Sequence, residues 1–124
     1  MSWSLVARST ALVVAVGGLA LAAPVVLLEL DEGAVPPSRA APDLPAGVTV
    51  VGQEVACGSG GCWRELRLRG PAERSPAQLV ADLGLAEWTC GAAALLDRRR
   101  VCSQAHDDGD DAVLVVAFDR HLDL

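Results

Sequence analysis

Four cysteines, Cys57, Cys62, Cys90 and Cys102, are the residues of this chain whose type and spacing could carry chemistry. Three chemistries are open to four thiols: two disulfides, a metal site, or an exchanging dithiol. A zinc site built from four sulfurs, or from three plus His106, usually draws on a C-x-x-C knuckle, and the near pair here is C-x4-C. A thioredoxin-like pair wants C-x-x-C at a helix start, which is also missing. Structural bridges from Cys57 to Cys62 and from Cys90 to Cys102 are therefore the expectation, with no metal and no cofactor. Four cysteines still allow three connectivities.

Other patterns carry less. The acidic run Asp107 to Asp111 offers carboxylates to calcium, but it departs from the D-x-[DN]-x-[DN]-G spacing and has no closing Glu. A charged hairpin tip that keeps one end of a sheet soluble is the simpler reading. His106 beside Asp107 and Asp108 lacks the further ligands of a metal-dependent phosphohydrolase, and His121 lies in the tail. Ser59 stands between glycines outside any G-x-S-x-G pattern, and no glycine-rich loop leads into Lys-Ser or Lys-Thr. No catalytic residue can be named, so a non-enzymatic protein is expected. The candidate binding surface is Trp63 with the triplet Arg98, Arg99 and Arg100. A basic cluster close to a membrane can meet anionic lipid, and an exposed indole beside a glycine-rich tip can anchor a partner. Against these stand local pairing of the arginines, with Arg99 opposite Asp119, and an indole packed on a disulfide at both Trp63 and Trp88.

The elements that position these residues start with an uncharged run from Ser9 to Leu28, between Arg8 and the acidic Glu29, Asp31 and Glu32. A helix of twenty residues rises about 30 Å, the thickness of a bilayer's hydrocarbon core. The expected division is a cytoplasmic stretch 1–8, a transmembrane helix 9–30, a linker 31–46 and an extracytoplasmic domain 47–124, with the flanking cation inside. Ala20-Leu21-Ala22 fits a signal-peptidase site, so a cleaved and secreted domain is the alternative; apolar residues continuing from Val25 to Leu28 favour a retained anchor. Pro36, Pro37, Pro42 and Pro45 make the linker an extended spacer of up to about 50 Å.

Beyond the linker the periodicity of two predicts a hairpin over 48–69, with Cys57 opposite Cys62, Val55 opposite Arg64, Gln53 opposite Leu66 and Val51 opposite Leu68. That places Val51, Val55, Leu66 and Leu68 on the core face. Ser75, Pro76, Gln78 and Gly84 spell a capped helix over 75–83 whose apolar side is Leu79, Val80 and Leu83. A short strand follows over 86–90, then a Gly-Ala-Ala-Ala-Leu-Leu stretch of no assigned structure. A second hairpin pairs 101–106 with 112–118 across the acidic turn, and its last strand, continuously apolar, belongs in the middle of the sheet. The fold expected is α+β, two antiparallel hairpins with one helix on a face, in the order β-β-α-β-β-β.

A domain of this size is marginal on its core alone and gains from staples, and all four cysteines fall within it, as in proteins of oxidising compartments. The net charge of −6 and arginines interleaved with carboxylates exclude a nucleic-acid partner. All ten basic residues are Arg, and Lys, Asn, Tyr and Ile are absent, the imprint of a GC-rich genome. The anchor, the Pro-rich segment and the Cys57-Gly-Ser-Gly-Gly-Cys62-Trp63-Arg64-Glu65 hairpin together resemble small single-pass membrane proteins of GC-rich actinobacteria. The resemblance implies an address in the cell membrane and no activity. The expected partners are the bilayer and an envelope protein bound or sensed by the outer domain. Metal binding or thiol redox through the cysteines is the rival reading.

Overall fold

A computed structural model describes residues 3–31, 33–93 and 96–119. An apolar helix α1 (Trp3–Leu30) precedes β1 (Thr49–Gly58), β2 (Gly61–Arg69), a short helix α2 (Pro76–Leu83), β3 (Thr89–Ala92), β4 (Arg100–Asp107) and β5 (Ala112–Phe118). The strands form one antiparallel sheet in the order β1-β2-β5-β4-β3, an α+β fold with β-β-α-β-β-β connectivity. Ala94 and Leu95 of the unassigned stretch, and His121 of the tail, lie outside the described residues.

Helix α1 begins at Trp3, well ahead of the expected start at residue 9, and runs without a break through Pro24. Its polar side chains are satisfied within the helix: Ser9 Oγ and Thr10 Oγ1 each donate to the carbonyl four residues back, at 2.9 Å. From Trp3 to Leu28 it is long and apolar enough to cross a membrane, a property shared by membrane spans and signal sequences.

Both hairpins match their expected elements, with two shifts of register. Cys57 faces Cys62, Val55 faces Arg64 and Gln53 faces Leu66, but a bulge at Val51 brings Val50 rather than Val51 opposite Leu68. Neither Val51, displaced by the bulge, nor Val55, which keeps its expected register, is in the core. They lie on the outermost strand, about half exposed, while Leu66 and Leu68 on β2 are buried. In the second hairpin Asp107 already pairs with Ala112, shortening the loop by one residue, so Arg100 rather than Arg99 stands opposite Asp119. The third strand starts at Thr89, later than expected. Leu85 and Ala86 instead meet β4 irregularly, through Ala105 N–H to the Leu85 carbonyl at 2.7 Å and Gln104 Nε2 to the Ala86 carbonyl at 3.0 Å.

Helix α2 has both bonds of its capping box: the Gln78 N–H donates to Ser75 Oγ, and the Ser75 N–H donates to Gln78 Oε1. It ends at Gly84 in the left-handed region (φ 66°), where a side chain would cost strain.

Alternation along the strands divides the sheet into two faces. One is the core face: Leu66 and Leu68, Ala112, Leu114, Val116 and Phe118, and Val101 and Ala105, closed over by Leu79 of α2 and by Leu85. Strand β5 lies at its centre as predicted, with Leu114 and Val116 wholly buried.

The largest departure from expectation is the Pro-rich segment, which is not an extended spacer. Leu28 of α1 is buried in the core cluster, and Ala34, Ala40, Ala41, Leu44 and Val48 pack against it. Pro36 is fully buried, its carbonyl accepts from Arg64 Nε at 2.9 Å, and a 3₁₀ turn (Ser38–Ala40) follows. The missing driving force for this in the sequence is local: prolines and alanines show no periodicity, and their burial is defined only by the sheet they fold onto.

Candidate binding surface

The second face of the sheet is formed by Trp63, Glu65 and Arg67 on β2, Val113, Val115 and Ala117 on β5, and Cys102, Gln104 and His106 on β4. None of the described helices contributes to it: α1, the 34–48 segment and α2 all pack on the core cluster. Trp63, Glu65, Val115, Ala117 and Gln104 are partly exposed there. The Trp63 indole donates Nε1–H to Glu65 Oε1 at 2.9 Å and lies over Gly58, where a Cβ would come within 3.1 Å of the ring. Glycine at the hairpin tip is thus what admits the indole.

Both expected disulfides are present, Cys57–Cys62 and Cys90–Cys102, each joining residues directly opposite on neighbouring strands. Strand alternation puts the first on the core-face side and the second on the open face, so the four sulfurs do not converge on one point. The Asp119 carboxylate lies within 4.8 Å of the Cys90 and Cys102 sulfurs, but these are bonded to each other and Asp119 Oδ2 is 3.4 Å from Arg100 Nη1. A metal would need that bridge reduced. Trp63 is on the side opposite the Cys57–Cys62 bridge, so the expectation of an indole resting on that disulfide is replaced by its contact with Gly58. Trp88, expected to rest on the bridge that it flanks at Cys90, is about half exposed just ahead of β3.

The arginine triplet is split by the strand that it leads into. Arg99 turns to the core side, where its guanidinium chelates the Asp97 carboxylate (Nε to Oδ1 2.8 Å) and stands over the Phe118 ring, 4.7 Å from the centroid. The paired guanidinium holds the Asp97 carboxyl below the usual aspartate range, and Asp97 in turn raises Arg99. Arg100 is exposed on the open face and pairs with Asp119, and Arg98 is exposed. Trp63 pairs with Ala117 and Val101 with Phe118, so Trp63 and Arg100 share the open face at the end of the sheet nearest α1. Arg98 and Arg99 flank that same end.

The acidic turn is turned inward on itself. Asp108 accepts from the N–H groups of Asp111 (2.8 Å) and Asp110 (3.1 Å) and from Arg67 Nη1 (2.9 Å), contacts that lower its pKa in that order of weight. Asp108 correspondingly raises Arg67. Asp107 Oδ1 accepts from Gly109 N–H, and Asp111 lies 3.6 Å from both Arg67 and Arg69. Gly109, at φ 100°, makes this tight turn accessible. These carboxylates therefore tie β4 and β5 to β2. His106 is exposed on the open face, and Ser59 is exposed at the hairpin tip.

Compared with protein-family models, with curated proteins and with solved structures, the chain matches none.

Proposed function

We propose that this chain is a single-pass membrane protein whose disulfide-bonded domain stands outside the cytoplasm and acts by binding a partner in the cell envelope, without turnover. The observation that supports the reading is α1 itself: one unbroken helix runs from Trp3 through Ala20-Leu21-Ala22 to Leu30 and is long and apolar enough to cross a bilayer. The apolar run continues past that site through Val25 to Leu28, longer than a signal sequence needs. Two disulfides favour the oxidising side of the membrane, and Arg8 ahead of an acidic flank favours an inside amino terminus.

The recognition surface is the open sheet face, with Trp63 as its aromatic anchor and Glu65, Gln104, His106 and Arg100 as polar groups around Val115 and Ala117. The test is site-specific photo-crosslinking in cells from position 104, compared with position 82 on the solvent side of α2. An adduct with an envelope protein from position 104 alone is expected. Equal yields from both positions, or an intact chain recovered in the medium, would defeat the proposal.

A further inference from the structure

Helix and domain overlap in a way that fixes depth. Pro24 and Val25 are half-buried and Leu28 is buried, while the side chains from Trp3 to Ala23 are exposed, so the domain begins to grip α1 at Pro24. Pro24, Leu27, Leu30 and Asp31 form one wall of a cleft whose other wall is Arg99. The uncharged run, however, continues to Leu28. If the hydrocarbon core is filled by Ser9 to Leu28, the gripped turn Pro24–Leu28 lies inside it, with a rise of about 6 Å. If the helix instead slides inward until Ala23 marks the boundary, with Arg8 snorkelling, the headgroup layer of roughly 5–7 Å still covers that turn. Both limits bring the strand-leading loop beside Arg99 to the level of the lipid headgroups.

The composition of that loop suits the level. Leu96 is 77% exposed, among the most exposed large apolar residues of the domain. Arg98 is exposed, whereas Arg99 has its charge matched by Asp97 while it stands over the Phe118 ring, and Arg100 is paired with Asp119. An apolar side chain near an exposed guanidinium is the pattern of an interfacial contact, with the aliphatic group at the acyl boundary and the guanidinium on phosphate. We infer that the loop Leu96–Arg100 is a second membrane contact, seating Leu96 among the lipids around α1 and Arg98 on their phosphodiesters. This rests on α1 remaining in the bilayer.

The experiment uses the full chain, ¹⁵N-labelled, in phosphatidylcholine and phosphatidylglycerol nanodiscs doped with lipid carrying a nitroxide either on the headgroup or in the acyl chain. With the headgroup label, the amides of Leu96 and Arg98 are expected to broaden as strongly as that of Leu30, and Gly109 at the far end of the sheet to stay sharp. A Leu96→Ser/Arg98→Ser variant is expected to lose at least half of the loop broadening with Leu30 unchanged. Loop amides as sharp as Gly109, beside a broadened Leu30, would overturn the inference and leave the anchor standing. Helix amides from Leu12 to Leu21 untouched by the acyl-chain label would overturn the anchor, and the inference with it.

Discussion

Arg64 Nε donates to the Pro36 carbonyl at 2.9 Å across 28 positions of sequence, joining the core-face side of β2 to the segment that leaves the apolar helix. This bond and the burial of Pro36 turn a proline-rich stretch into part of the domain. A charged donor to a partly buried carbonyl contributes about 1.5–3 kcal/mol. Arg64→Ala is therefore expected to destabilise the full chain in detergent by roughly that amount and to expose the Ser38–Ala40 turn to trypsin at Arg39. Unchanged urea midpoint and unchanged cleavage would show that the segment is held without this bond.

The two bridges differ in what they hold. By the loop-closure argument Cys57–Cys62 contributes about 2 kcal/mol and Cys90–Cys102 about 3 kcal/mol. The second also secures β3, an edge strand of four exposed residues. Serine pairs at 90 and 102 should cost more in urea unfolding than serine pairs at 57 and 62, and should speed amide exchange at Cys90 and Gly91. The opposite order of stabilities would refute this division of labour.

Acid should loosen the turn that ties three strands together. Asp97 and Asp108 have lowered pKa values in the folded chain, so the unfolded chain binds more protons between the folded value and the ordinary aspartate value of about 4. Their stabilisation is present above that ordinary value and is lost as pH falls through the folded one. Melting temperature should drop from pH 5 to pH 2, and an Asp97→Asn/Asp108→Asn variant, less stable at pH 7, should show a flatter acid limb. Parallel curves for the two proteins would assign the acid sensitivity elsewhere.

Position in the sheet, not residue type, sets the cost of trimming a side chain. Leu114 on central β5 is wholly buried, whereas Val55 on edge strand β1 is 52% exposed. Leu114→Ala is expected to cost about 2–5 kcal/mol, enough to unfold so small a domain, and Val55→Ala about 0.5 kcal/mol. Circular dichroism of both variants checks the contrast.

That contrast also marks where sequence reasoning reached its limit. The capping box, the two hairpins and the central place of β5 were legible because each is written in neighbouring residues, and the two bridges because they are the most local of the three possible pairings. Val51 and Val55 alternate correctly for a core face, yet alternation cannot tell an edge strand from a covered one. The bulge at Val51 and the early pairing of Asp107 each moved a register by one residue, enough to exchange Arg99 and Arg100. Of the candidate surface, Trp63 and the arginines were legible as residues; their arrangement was not, because Arg99 and Arg100 point to opposite sides only once β4 is placed. Glu65, Gln104 and His106 joined the surface through register alone.

Strand order also dictates a schedule. Among the described strands the last made is the middle one: β5 must slide between β2 and β4, which are not neighbours in the sheet without it. As the chain is made, its two local bridges can therefore close early, yet the sheet has no centre until residue 118 has emerged. A nascent chain stalled before Ala112 would carry paired hairpins and no core, leaving Leu66, Leu68 and Ala105 open to any chaperone that holds it.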